Sequence, residues 1–250
     1  MESFASFDGV RIAFDEMGTG DAVLLHHGFA SDSQINWVRP GVAGAIATAG
    51  LRAVMIDARG HGRSEKPHDA ESYAGNAMAR DVQALLDHLE IGDVAVVGYS
   101  MGSFVAVDVA VSDPRVRRIV LCGVGSGQAS VSNRARAGRI ADALSAPDKA
   151  TITDPTALAF RNFADATGSD REALAAVQRS RYRPPGPDVL GSIKVPTLVV
   201  NGEADTLVGP LDSFSEAIPG AQLVIVPGDH LSAVLKPEFR EAVVEFLSAR

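Results

Sequence analysis

The chain has 250 residues, 46% hydrophobic and 22% charged, enough for one large α/β core. Its 31 acidic against 23 basic residues give a net charge of −8, which counts against a nucleic-acid groove or an anionic membrane surface as the main partner. A single cysteine, Cys122, excludes an internal disulfide, and no run approaches membrane-spanning length. The start, Met1-Glu2-Ser3-Phe4, has no basic segment leading into an apolar one, so the expectation is a cytoplasmic protein.

Residues 3–7 and 10–15 alternate around Asp8-Gly9, a hairpin signal. Ala22 to Leu25 reads as a short buried strand ending at His26-His27-Gly28-Phe29, followed by a polar loop and a small-residue helix from Pro40 to Ala49. Leu51 to Asp57 is the next strand, and Arg59 to Ser64 a glycine-rich loop. A helix from Tyr73 to Leu89 carries Met78, Val82, Leu85, Leu86 and Leu89 on one face. Val94 to Val97 is a β-branched run that enters Gly98-Tyr99-Ser100-Met101-Gly102, and a helix-compatible run, Phe104 to Val111, follows at once. After Asp113-Pro114 comes a strand from Arg118 to Cys122; the thiol in that apolar run reads as buried.

Here the alternation of strand and helix stops. Between Gly123 and Lys194 the patterns are helical only: Asn133 to Leu144, Thr156 to Ala166 and Asp170 to Arg181, with helix starts at Asp154-Pro155 and Asp170. Arg183-Pro184-Pro185-Gly186-Pro187 is a breaker. The rhythm resumes with a strand from Val195 to Val200, a helix from Leu211 to Ala217, a strand from Gln222 to Val226 and a closing helix from Pro237 to Leu247. Short apolar strands alternating with helices predict an α/β fold with a mostly parallel sheet covered on both faces. The helical middle reads as an insertion over the edge where such sheets bind ligands.

Strand, Gly-x-Ser-x-Gly and helix in that order is the context of a nucleophile elbow. Gly98 and Gly102 lack the Cβ that would keep strand and helix apart, so the sharp turn lifts the Ser100 hydroxyl clear of the sheet. A serine needs a base, and the base an orienting carboxylate. Of six histidines, His88 lies within a helix, His68 in a charged loop, His61 in the glycine-rich loop, and His26 and His27 end a strand. His230 directly follows the last predicted strand and is the expected base. Asp205, in Asn201-Gly202-Glu203-Ala204-Asp205 after the preceding strand, is the expected acid, with Glu203 the alternative and Asp212 and Asp229 further candidates. The backbone amides of Met101 and Phe29 are the expected oxyanion hole.

His27-Gly28-Phe29, Asp57 through Ser64, Gly98 through Gly102, Val195-Pro196-Thr197-Leu198 through Gly202 to Asp205, and Gly228-Asp229-His230 together resemble the α/β-hydrolase fold superfamily, nearly end to end. The resemblance implies a twisted sheet of about eight strands, a core of residues 1–123 and 195–250, and a small helical cap over 124–194. It implies a triad of Ser100, Asp205 and His230. The residue before the base is usually glycine in the family; here it is Asp229.

Serine at the elbow separates the chain from the family's haloalkane dehalogenases and epoxide hydrolases, which carry aspartate there. It points to acyl transfer through an acyl-enzyme. Esters, thioesters and lactones are the substrate classes; C–C bond hydrolases, perhydrolases (haloperoxidases) and acyltransferases share the triad. A carboxylesterase acting on a small, largely apolar substrate is the leading expectation. A ligand receptor of hydrolase fold is the alternative of another class, against which three intact site residues speak. Phe29, Trp37, Tyr99, Met101 and Leu231 are expected to line an apolar acyl pocket. No cofactor or metal is expected. His26, His27 and His61 lack carboxylates at ligand spacing, and Arg59 to Ser64 lacks the Gly-Lys-Ser/Thr ending of a phosphate loop.

Overall fold

In the computed structural model, which describes residues 2–128 and 132–249, eight strands form one sheet. In chain order they are β1 (Glu2–Ala5), β2 (Arg11–Met17), β3 (Ala22–His26), β4 (Arg52–Ile56), β5 (Val94–Tyr99), β6 (Val116–Cys122), β7 (Thr197–Gly202) and β8 (Gln222–Val226). Their spatial order is β1-β2-β4-β3-β5-β6-β7-β8. The β1–β2 hairpin and the β2–β4 pair are antiparallel, while β3 to β8 all run parallel. The six parallel strands therefore deliver their following loops to one edge of the sheet, where ligands bind in such folds.

The helices are α1 (Val42–Thr48), α2 (Ala77–His88), α3 (Met101–Ser112), α4 (Ser132–Ser145), α5 (Pro155–Thr167), α6 (Arg171–Arg179), α7 (Pro187–Gly191), α8 (Ser213–Glu216) and α9 (Pro237–Ser248). Strand alternation sends Leu24, Val96, Ile119, Leu121 and Val199 to one face, with residues of α2, α3 and α8. Val23, Leu25, Val97, Tyr99, Val120 and Val200 go to the other, with Trp37 and residues of α1 and α9. Both faces are dry, which is why β3 is buried at every position and reads as an unbroken apolar run.

Several elements differ from the sequence expectation; among them, the stretch read as a polar loop before Pro40 includes a five-residue helix, Gln34–Val38. The helix predicted from Tyr73 starts at Ala77, because Gly75 takes a left-handed φ of 60° and separates a short turn, Glu71–Tyr73, from α2. The helix predicted over 211–217 shrinks to the four residues of α8. The proline breaker ends not in loop but in α7, with Pro187 in its first turn, where the missing N–H is no loss.

Between β6 and β7 the described residues contain helices and no strand; residues 129–131 of the expected insertion lie outside the described residues. Helices α4, α5 and α6 enclose a small core of their own. Ile140, Leu144, Ala157, Ala164 and Leu174 sit in it, with Phe160 and Phe163 at its margin. Asp154 and Asp170 cap α5 and α6, accepting hydrogen bonds from the Ala157 amide at 2.9 Å and from the Glu172 and Ala173 amides at 3.0 Å. The buried Arg161 guanidinium donates to the carbonyls of Ala143 (2.8 Å) and Ala146 (2.7 Å), satisfying the end of α4. The last part of the segment behaves differently: Leu190 and Ile193 pack into the main core beside the sheet. Among the described residues no helix is long and apolar enough to cross a membrane.

Candidate active site

Ser100 stands between β5 and α3 with φ 52° and ψ −110°, a conformation that non-glycine residues rarely adopt. The turn that forces it needs both flanking glycines. A Cβ on Gly98 would lie 2.2 Å from the Gly102 carbonyl oxygen, and one on Gly102 would lie 2.1 Å from that of His26. The Ser100 amide donates to the Cys122 carbonyl at 2.7 Å. Ser103, which the sequence did not single out, knits the turn: its buried Oγ lies 2.9 Å from the Gly98 carbonyl and 2.8 Å from that of Cys122, and accepts the Cys122 amide at 2.9 Å.

The loops after β5, β7 and β8 bring three side chains together. The Ser100 hydroxyl donates to His230 Nε2 at 3.0 Å, and His230 Nδ1 donates to Asp205 Oδ2 at 2.7 Å. Asp205 is buried and its other oxygen accepts the Leu207 amide at 3.0 Å. Glu203, by contrast, is exposed. Asp229 turns from the histidine and accepts from the Leu231 amide (3.1 Å) and the Ser232 amide and hydroxyl (2.9 and 2.6 Å), so it shapes the turn that carries His230. Asn201 bonds both backbone groups of Val124, at 3.0 and 2.9 Å, and ties the end of β7 to the loop after β6.

The loop after β3 comes against the elbow: a Cβ on Gly28 would lie 3.4 Å from Ser100 Cβ. Asn36 Oδ1 accepts the Gly28 amide at 2.9 Å. His27 accepts the Ala58 amide on Nε2 (3.0 Å) and donates from Nδ1 to the Gly28 carbonyl (2.8 Å), which fixes a neutral tautomer. Burial pushes the neighbouring His26 and His61 rings down to about 3, so both are neutral as well. The His61 ring meets Phe29 edge-on at 5.7 Å. Asp57 accepts the Ser33 and Arg63 amides, each at 2.9 Å, and holds the glycine-rich loop under this layer. Ala30, fully buried, also has a left-handed φ of 60°, so strained non-glycine backbone flanks the site on two sides. The Phe29 and Met101 amides donate to none of the described residues.

Ser100 and His230 open into a cavity of about 540 Å³. Phe29, Met78, Met101, Phe104 and Val105 form its core-side wall; Ala137, Ile140, Phe160 and Val177 form the helical side. Phe29 and Met101 are among the residues that line it; Trp37, Tyr99 and Leu231 are not. Trp37 is fully buried under α1, on the opposite face of the sheet. Tyr99 points to that same face by strand alternation; its hydroxyl donates to the His230 carbonyl at 2.8 Å, so it supports the histidine from below. Leu231 is 62% exposed, turned outward by the Asp229 turn. Residues missed from sequence include Phe104, Asp108 and Tyr182, whose place on the cavity wall depends on how α3 and the segment after α6 meet.

A hydroxyl bonded to an imidazole, itself bonded to a buried carboxylate, can transfer its proton as it attacks an electrophile. A family model described as alpha/beta hydrolase fold matches residues 21–137. A hydrolase from Pseudomonas aeruginosa PA01 superposes with a TM-score of 0.82 at 28% identity, covering 99% of this chain and 98% of the other. A thermophilic esterase from Thermogutta terrifontis superposes with a TM-score of 0.78 at 25% identity, covering 98% and 97%. An epoxide hydrolase from Caballeronia sordidicola is 37% identical over 133 residues, 52% of this chain and 40% of the relative. The chain thus spans less than half the length of that relative. Sheet order, elbow and these likenesses together show that the chain has the α/β-hydrolase fold.

Proposed function

We propose that the protein is a serine hydrolase that cleaves carboxylic esters of small, largely apolar substrates. The observation that carries this reading is the chain of hydrogen bonds from Ser100 Oγ through His230 to Asp205, at 3.0 and 2.7 Å, opening onto an apolar cavity. An elbow serine, in place of the aspartate expected of epoxide-opening members of the family, supports acyl transfer. The overlap with the epoxide hydrolase is confined to about half of this chain, whereas the likeness to the esterase runs nearly end to end.

In this reading His230 Nε2 takes the Ser100 proton while Oγ bonds to the ester carbonyl carbon. The carbonyl electron pair moves onto oxygen, where the Phe29 and Met101 amides receive the negative charge. Asp205 fixes the imidazole orientation and stabilises its protonated form. The carbonyl re-forms, the C–O bond to the alcohol breaks, and His230 gives its proton to the departing alkoxide. Water then attacks the acyl-enzyme with His230 again as base, releasing the carboxylic acid and restoring Ser100.

A fluorophosphonate probe and a panel of esters, thioesters and lactones test this. Folded wild-type protein is expected to be labelled on Ser100 and to hydrolyse simple esters. A folded protein that neither labels nor turns over any ester overturns the reading and favours a receptor.

A further inference from the structure

Resting on the hydrolase reading, the inference concerns the far end of its cavity. Helix α3 is apolar along nearly its whole length, since it is wedged between the sheet, α2 and the cavity. Asp108 is its one charged residue, and it lines the same cavity as Ser100. Eight residues of helix at 1.5 Å each place it about 12 Å along the axis from the nucleophile.

Other carboxylates sunk into this fold are compensated. Asp81 takes the Arg59 guanidinium and the Ser6 hydroxyl, each at 2.6 Å; Asp113 takes Arg115 at 2.7 Å; Asp57 takes two amides. Asp108 receives one bond, from the neutral Tyr182 hydroxyl at 2.9 Å on Oδ2. Its Oδ1 has no hydrogen-bond partner among the described residues. Burial drives its pKa up to about 6, with the Tyr182 bond the one influence opposing it. Arg134, Arg136 and Arg183 also line the cavity, but among the described residues none of them forms an ion pair or hydrogen bond with Asp108. A half-buried carboxylate without a cation weakens a fold, and here its free acceptor stands on the wall of the cavity.

We infer that Asp108, held by Tyr182, is a recognition site for a hydrogen-bond-donating group, hydroxyl or ammonium, at the end of the substrate remote from the scissile carbonyl. The substrate class is then an ester whose apolar chain, about the length of an octyl group, ends in a polar donor and not in a methyl group. The apolar wall between Ser100 and Asp108 takes the chain; Asp108 Oδ1 takes the terminus.

The experiment measures kcat/KM for matched esters ending in methyl, hydroxyl or ammonium. On the acyl side these are para-nitrophenyl octanoate, ω-hydroxyoctanoate and ω-aminooctanoate. On the alcohol side they are the acetates of octanol, ω-hydroxyoctanol and ω-aminooctanol. Wild type is expected to favour a donor-ended ester over its methyl-ended partner at least tenfold on one of the two sides. In Asp108→Leu that ratio falls at least tenfold and kcat/KM for the methyl-ended ester rises. Asp108→Asn, which keeps the shape and the Tyr182 bond, serves if the leucine variant does not fold. It turns an amide N–H toward the cavity, so preference for ammonium falls at least tenfold and preference for hydroxyl, which can also accept, falls less. Equal ratios in wild type and variants, or a wild type that favours methyl ends on both sides, overturn the inference and leave the hydrolase reading standing. No turnover and no probe labelling in folded wild type overturns both.

Discussion

The two walls of the cavity are built by opposite means. On the core side, the site residues follow parallel strands whose backbone hydrogen bonds fix their spacing, and each is held by a dense local network. Ser100 is locked by Gly98, Gly102 and Ser103, His230 by the Tyr99 hydroxyl and the Asp229 turn, and Asp205 by the Leu207 amide. On the helical side, α4, α5 and α6 meet through a small core with many alanines, capped by Asp154 and Asp170 and tied by one buried arginine. Alanine lets helices approach closely but buries little area per residue. The proposed nucleophile thus sits on a wall spaced by strand hydrogen bonds, while the facing wall is held by packing of small side chains between helices, a division that would permit substrate change without disturbing the nucleophile.

The sharpest way to break this contrast is on the core-side wall. Ser100→Ala removes the nucleophile and should lower kcat for an activated ester about a millionfold, with loss of fluorophosphonate labelling. Asp205→Asn leaves His230 without the carboxylate that orients it and should lower kcat about ten-thousandfold. Glu203→Gln, at an exposed position, should change kcat less than twofold; equal losses in the two variants would shift the acid from Asp205.

On the helical wall the expected effects are smaller and fall on stability. Arg161→Ala leaves the Ala143 and Ala146 carbonyls buried without their donor and should lower unfolding free energy by about 2–4 kcal/mol, read by denaturant titration. Triad hydrogen bonds are remote from it, so labelling by the probe should persist under native conditions. Across the cavity, on α3 of the core side, Asp108→Asn should change stability in the opposite direction. The folded carboxyl resists ionisation until about pH 6 whereas the unfolded one ionises near 3.8, so the native state binds more protons between these values and loses stability as pH rises through the window. The asparagine variant escapes that loss. It should match wild type near pH 3.5, gain from pH 4 to 6, and level off above 6 at about 1–3 kcal/mol more stable. A variant less stable than wild type at pH 7.5 would show that Asp108 serves the fold and not a ligand.

Local signals in the chain determine most of the core-side wall. Strand periodicity, Gly-x-Ser-x-Gly and the positions of Asp205 and His230 after successive strands are local signals. A parallel sheet turns them into proximity, because strand ends share one edge. The left-handed φ of Ser100 belongs to the turn that Gly-x-Ser-x-Gly announces, whereas that of Ala30 carries no sequence signal.

Only the tertiary structure decided what faces the cavity. Trp37 and Tyr99 look like pocket residues by composition, yet strand alternation and the packing of α1 and α9 turn them to the far side of the sheet. Asp108 looks like an ordinary polar position on a helix until Tyr182, 74 residues later, closes over it. Which side chain meets which across that distance depends on how the helical segment docks on α3. Docking is set by summed packing over many residues, and no short stretch of sequence encodes such a sum.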